Sequence, residues 1–212
     1  MINVSNEFKE LMSERQDFKE YAEVTLANGT VLELTEDDFS IDNNSLVDSA
    51  GANSIPLGVA LSRNVQLEIM NDDDHLSDYD FFGAKIRLYL TFELSSTTEK
   101  IEYGTFTVTQ PETYGSVVTI VGYDDMYKAD KTYSTTLTFP ATAKSVLIDS
   151  CDTCGILIGN SNFLHNDFQI PTMPSSEYTH RQIIGFIAMI ACGNARIDRT
   201  GHLQIMTYDF NY

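Results

Sequence analysis

The sequence lacks tryptophan and is poor in cysteine, proline and positive charge. Three cysteines in 212 residues is an odd and sparse number. A secreted disulfide framework is denser and even, so the thiols are expected to be reduced, as in a protein made in a cytoplasm. Thirteen Lys and Arg stand against 31 Asp and Glu, a formal charge of −18. That balance argues against a nucleic-acid backbone as the partner. The first twenty residues include Glu7, Lys9, Glu10, Glu14, Arg15, Asp17 and Lys19, which leaves no apolar core for a signal peptide. The longest apolar run, Ile183 to Cys192, is ten residues with Gly185 included. That is about half of a membrane span. H-E-x-x-H, G-x-S-x-G and phosphate-binding glycine loops are also missing.

What is present is a core-forming composition. Apolar residues make up 42%, and 12 Phe and 11 Tyr accompany them, which argues against disorder. The length allows one or two domains. The acidity is uneven: residues 1–50 hold 12 acids against 3 bases, half of the whole excess. A solvated surface is the simplest reading of this, and a surface that repels an anion or meets a base is the sharper one.

The chain begins with a predicted helix from about Asn6 to Glu20, in which Phe8, Leu11, Met12 and Arg15 share a face. So short an apolar stripe needs something larger to dock on. From Glu23 the period becomes two. Glu23–Leu26 and Val31–Leu34 flank Asn28-Gly29, a turn whose residues both tolerate positive φ. Asn43 to Gly58 reads as a long polar loop. Alternating strands follow: Val65, Leu67 and Ile69 on one face; Ile86, Leu88 and Leu90 on one face of Ala84–Phe92; Phe106 and Val108 on one face of Ile101–Thr109. Ser95–Thr98 and Lys100 mark a hairpin. Val117–Tyr123 is apolar on both faces and is expected to be central. Six or seven such strands predict a small antiparallel barrel or sandwich.

After Tyr123 the pattern changes. Asp124–Asp130 is expected to form one helical turn, and Phe139-Pro140 places a domain boundary near residues 130–140. Ala143–Cys154 reads as a helix with Val146, Leu147, Ser150, Cys151 and Cys154 on one stripe and Gly155 as its C-cap. Thr179-His180-Arg181-Gln182 has the form of a capping box. Its helix runs to about Ala191, ends at Gly193, and is apolar nearly all round, which predicts burial. Asn194–Ile197 and Leu203–Thr207 make a hairpin about Asp198–Gly201.

Three polar groupings are candidates for chemistry. Asn71, Asp72, Asp73, Asp74 and His75, with Asp78 and Asp80, form the densest one. Counted from Asp72, an EF-hand needs Gly where Ser77 stands and Glu where Gly83 stands, so it does not match. A looser calcium site stays open beside the simpler reading, a turn after a strand. Cys151-Asp152-Thr153-Cys154 is a C-x-x-C at the wrong end of a helix for a reactive thiolate. No second pair at zinc spacing accompanies it, so inert core cysteines are expected. His75, His165, His180 and His202 lie far apart. A Ser-His-Asp set would have to assemble in space. No catalytic, metal-binding or cofactor-binding residue is assigned, and no cofactor is expected.

Several stretches carry a resemblance. Asn71-Asp72-Asp73 is followed by Leu76-Ser77-Asp78-Tyr79-Asp80-Phe81-Phe82-Gly83-Ala84. Then come Tyr103-Gly104-Thr105-Phe106-Thr107-Val108 and Gly122-Tyr123-Asp124-Asp125-Met126-Tyr127-Lys128. In the second half stand Phe139-Pro140-Ala141, the helix ending in Cys151–Gly155, and Ala195-Arg196-Ile197-Asp198-Arg199-Thr200-Gly201-His202-Leu203. The initial helix followed by Glu23–Phe39 agrees as well. Together they resemble the N-terminal region of tail hub proteins of phages and prophages of Gram-positive bacteria, the tail-associated or tail-lysin proteins, similar in fold to the baseplate hub of contractile phages.

The resemblance implies an α+β protein. Residues 1–22 would be a helix docking on a barrel, 23–135 a β-barrel-like hub domain, and 136–212 an α+β domain of two helices and a hairpin, incomplete at its C-terminus. It implies a structural protein of the virion tail tip, synthesised in the bacterial host cytoplasm. In the full assembly it would be a homotrimer that forms a ring under the tail tube, contacts the distal tail protein, and lets DNA pass without sequence-specific binding or membrane binding. Any peptidase or muralytic module of the family would lie beyond residue 212, so no enzyme is expected here. Two alternatives from other classes stand beside it: a carbohydrate- or calcium-dependent host-surface binding module, and a hydrolase with an assembled site.

Overall fold

The structure, a computed structural model, describes residues 4–11, 18–40, 44–48, 56–110 and 114–208. The chain divides into two compact units. One comprises Met1–Ser45 and Gln66–Gly122, the other Leu46–Val65 and Tyr123–Tyr212. The sequence places the boundary near residues 130–140, whereas the division falls between Gly122 and Tyr123. The reason is packing: Met126, Ala129 and Tyr133 are buried in the core of the second unit.

The first unit begins with helix α1 (Asn6–Leu11). Ser5 Oγ accepts the Phe8 N–H and donates to Glu99, and Glu7 accepts the Ser95 N–H. Phe8 packs edge-on against Phe92, with ring centroids 4.7 Å apart. The helix is thereby tied to a β-hairpin. It does not continue to Glu20, because Lys19 and Glu20 already pair with Thr91 and Leu90 in a strand ladder. Ladder hydrogen bonds outweigh the helical spacing of so short an apolar stripe. Met12 and Arg15 of that stripe lie outside the described residues.

Seven strands form one sheet: β1 (Lys19–Thr25), β2 (Val31–Leu34), β3 (Ser45–Asp48), β5 (Arg63–Met70), β6 (Lys85–Glu93), β7 (Thr98–Val108) and β8 (Val117–Tyr123), in the order β2-β1-β6-β7-β8-β5-β3. The two-residue β4 (Ala60–Leu61) belongs elsewhere. The β1–β2 turn is built by Gly29 at φ +88° and by Asn28 Oδ1 accepting the Thr30 N–H. Alternation puts Ala22, Val24, Leu67, Ile69, Ile86, Phe106, Val118 and Ile120 on buried positions.

Three expectations change here. The sheet is open, with β2 and β3 as its outer strands among the described residues, so it is not a barrel; closure would need those two to pair. The stretch read as a loop from Asn43 to Gly58 contains β3, and Asn44 Oδ1 accepts the Glu68 N–H beside it. Residues 43 and 49–55 of that stretch lie outside the described residues. The Ile86–Leu88–Leu90 face breaks at a bulge where Leu88 faces Gly104 and Tyr89 faces Glu102. The extra residue, Tyr103, lies on β7; along β6, Tyr89 is buried as well as Leu88 and Phe92, and Leu90 is only half so.

The second unit packs two helices on a four-stranded sheet. Its elements are β9 (Ala141–Thr142), α2 (Ala143–Cys154), β10 (Leu157–Ile158), β11 (Gln169–Ile170), α3 (His180–Ile190), β12 (Gly193–Ile197) and β13 (His202–Thr207). The sheet order is β10-β13-β12-β4, and β9 pairs separately with β11. Thr142 caps α2 by accepting the Ser145 N–H, and Gly155 ends it in the left-handed conformation at φ +67°. Thr179 and Gln182 form the predicted capping box of α3. Val146, Leu147, Cys151, Ile183, Ile184, Ile187 and Ala188 meet in the core with Ala195, Ile197 and Leu203 of the sheet. The α+β class read from the sequence is the class observed.

Helix α3 departs from expectation on one face. Phe186 and Met189 are 41% and 51% exposed, despite the helix being apolar nearly all round. The 3.6-residue period turns 183, 184, 187 and 188 inward and leaves 186 and 189 opposite. Its end differs too. Cys192, at φ +54°, takes the left-handed position, and Gly193 opens β12 instead of terminating the helix.

Candidate functional site

The acidic loop after β5 is held from within. Buried Asn71 donates from Nδ2 to the Gly115 carbonyl, accepts the Leu76 N–H on Oδ1, and donates its own N–H to Ser116. Asp74 adopts φ +61° and accepts from Ser77, while Asp80 accepts the Phe82 N–H. Asp73 meets His75, and the hydrogen bond from that ring holds its carboxyl below the ordinary range. Leu76 and Phe81 of the loop are buried, while Phe82 is exposed. The polar residues thus serve the turn chemistry of the chain itself. Among the described residues no group of three or more His, Cys, Asp or Glu is placed to share a metal ion.

Two clefts open on the surface of the first unit. One of about 310 Å³ is lined by Phe18, Glu20, Glu36, Phe39, Ser40 and Asn44. Its neighbour, of about 300 Å³, shares Glu20 and Glu36 and adds Asp37, Glu93, Lys19 and Lys100. Burial first, and then the charge of Glu36, push the Glu20 carboxyl above its ordinary value. Such a lining disfavours anions. The whole first unit is acidic, with 21 acids against 6 bases, a net of −15; the second has 10 against 7, a net of −3. The acidity noticed in the first fifty residues is therefore a property of one folded unit.

In the second unit the most constrained charge is Asp124, which is fully buried. It caps the 3-10 turn Asp125–Ala129 by accepting the Met126 N–H on Oδ1. The same oxygen accepts the Ser62 hydroxyl, and Oδ2 accepts the Arg63 N–H at 2.9 Å. The Arg63 Nε lies 3.8 Å from Oδ2, and its Nη2 donates to the Asp198 carbonyl. Burial raises the Asp124 carboxyl against these donors and lowers the Arg63 guanidinium. Asp198 organises the β12–β13 turn. Its carboxylate accepts from Thr200 N–H and Oγ1, His202 N–H and Gln204 Nε2. Burial alone would raise its pKa, but those bonds together hold it low. In the sequence Asp124 opens the expected helical turn and Asp198 opens the hairpin turn; a cap before a helical turn is the signal that marks Asp124.

The histidines are not brought together. His75 is exposed, and His202 touches Thr200 and Asp198 in the hairpin. His165 adopts φ +59° in the segment between α2 and α3. His180 is fully buried at the first position of α3, its ring edge-on to Tyr133 at 5.0 Å. Ser150 and Asp149 follow on α2, and both His180 and Tyr133 feel the Asp149 charge. A serine and a histidine sealed from solvent have no room for a substrate, so this grouping is not a hydrolase centre.

Cys151 and Cys154 are buried in the helical core. Burial, then the neighbouring Cys154 and Asp152, push the Cys151 thiol up to about 12, so it is protonated at neutral pH. Cys192 is only partly buried. Titration with a thiol-reactive disulfide reagent at pH 8 should therefore label at most one thiol quickly, Cys192, and all three only in denaturant. Rapid labelling of Cys151 in the native protein would show that the core thiols are accessible.

No family model and no curated protein matches the sequence. Among solved structures, the chain is similar to the crystal structure of the 43 kDa tail protein of prophage MuSo2 from Shewanella oneidensis. The identity is 12%, the TM-score is 0.47, and the match covers 87% of this chain and 52% of that one. The chain spans about half the length of that protein.

Proposed function

We propose that the chain is a structural protein of a phage or prophage tail, acting in the tail-tip hub and carrying no catalysis of its own. What supports the reading is the resemblance along the chain, together with where its motif residues lie. Leu76, Phe81, Ala84, Phe106, Val108 and Met126 are buried, and Asp124 is a buried cap. A Cβ on Gly122 would stand 3.1 Å from the Phe106 Cβ. The shared residues thus serve packing and turns, which is what a scaffold needs and a reaction does not.

In this reading three copies form a ring that contacts the tail tube and the distal tail protein. The first unit, at −15, faces the passage taken by DNA. Its charge and the acidic lining of its clefts keep a polyanion from adhering. Imaging of tails labelled with an antibody against this chain tests the proposal, with label expected at the tail tip.

A further inference from the structure

The segment after the 3-10 turn is fastened to the start of α3 by three hydrogen bonds. The His180 N–H donates to the Lys131 carbonyl at 2.9 Å, and the Tyr133 N–H donates to the Tyr178 carbonyl at 2.8 Å. Thr132 and Thr179 form an isolated antiparallel bridge. The third hydrogen bond is made to a side chain: the Ser134 N–H donates to Nε2 of His180 at 3.3 Å. That bond requires Nε2 to be unprotonated.

We propose that His180 is an acid-responsive latch: as the neutral ring it pins residues 131–134 to the start of α3, and protonation at Nε2 releases them. The reason is geometric. A protonated Nε2 is a donor facing the Ser134 N–H, a second donor, so the bond is replaced by a repulsion. The ring is fully buried, and it occupies the first turn of a helix, where the backbone dipole disfavours a cation.

The groups that face it are Lys131 and Tyr133 from the pinned segment and Asp149 from α2. Its neighbour on α3, Arg181, is engaged with Asp130. Asp149 favours the proton. Burial, the largest influence, and Lys131 oppose it, and the ring's pKa lies below its ordinary value.

His180 Nδ1, Asp149 Oδ2 and Ser150 Oγ are shielded and have no hydrogen-bond partner among the described residues. Unmet buried polar atoms of this type cost free energy in the folded arrangement.

The direction of the pH effect follows. Above about pH 6.5 the ring is neutral in the closed and open forms alike, and the latch is at full strength. As pH falls below that value the open form takes the proton first. Closure weakens by up to about tenfold per pH unit until the closed ring is protonated as well.

Hydrogen exchange on the whole chain at pH 7.5 and pH 5.0, corrected for intrinsic rates, tests this. Protection across residues 131–136 and 178–184 should fall about tenfold or more at pH 5.0, while β6 and β7 keep theirs. His180→Gln keeps an oxygen that accepts the Ser134 N–H and does not titrate, so its protection should not change with pH. Equal protection of the unaltered protein at both pH values overturns the proposal, as does an equal loss in His180→Gln. Should that variant not fold, nuclear magnetic resonance of the unaltered chain decides. The Ser134 amide should shift at the same midpoint as the His180 ring, below pH 6.5, and an amide that ignores the ring's titration overturns the latch.

Discussion

Replacing Gly193 by Ala should lower the unfolding temperature of the second unit by roughly 10 °C. The first residue of β12 lies against β13 so closely that an added Cβ would stand 1.8 Å from the Met206 carbonyl oxygen and 2.9 Å from the Thr207 Cα. Those are backbone atoms, which cannot swing aside as the end of a side chain does. The β12–β13 ladder, which pairs Gly193 with Thr207 and Asn194 with Met206, has to open or shift. Strain of that type costs about 3 kcal/mol. Ala195, Ile197 and Leu203 lie on the same two strands and help fill the helical core, so the damage spreads. Gly115→Ala is the control: the nearest atom to its Cβ would be 3.8 Å away, and the change should be close to neutral. Calorimetry, in which the two units need not melt together, reads both variants. An unchanged upper and lower transition in Gly193→Ala would mean that β12 and β13 are not so closely paired.

Asp124→Ala should be at least as damaging, at about 3–5 kcal/mol. The loss combines several terms. Ser62 Oγ, Arg63 N–H and Met126 N–H lose their acceptor, and the Arg63 guanidinium keeps its charge in a buried place with its carboxylate gone. Removing one member of a buried pair costs far more than the pair contributes. Asp124→Asn retains one oxygen, which at Oδ1 still accepts from Ser62 and Met126, and should recover part of the loss, while the Arg63 N–H loses its acceptor and the charge is gone. Denaturant unfolding followed by far-ultraviolet circular dichroism measures both. If Ala and Asn lower the midpoint equally, the charge pairing is the term that matters and the hydrogen bonds are not. If neither moves it, Asp124 is not the anchor described.

Much of the local architecture is legible in the sequence. The Asn28-Gly29 hairpin, the α2 stripe with Gly155 after it, and the Thr179–Gln182 box each depend on residues within four or five positions of one another. Their physics is local, so their signal is local. The errors share the opposite property. Leu90 is half-buried beside a bulge that Tyr103 makes in the opposite strand, and nothing within β6 announces it. Strand β3 was hidden in a polar stretch because its partner lies beyond Leu61 in sequence. The exposed face of α3 was missed because an apolar side chain carries no mark of what covers it.

The same contrast governs the polar sites. The cluster from Asn71 to Asp80 drew notice because its residues are adjacent, yet its hydrogen bonds serve a turn. Asp124 with Arg63, and His180 with Ser134, are 61 and 46 residues apart. Their importance comes from burial and from which donors converge on them. Folding alone brings those together, and no spacing in the sequence encodes it.

The central claim is that this chain is a tail-tip structural protein. It is tested most directly on tails purified from an induced host culture, labelled with a gold-conjugated antibody raised against this chain and imaged by electron microscopy. The account predicts label at one end of the tail, opposite the capsid, and none along the tube. Label spread along the tube, or intact tails from which the chain is absent, would contradict it.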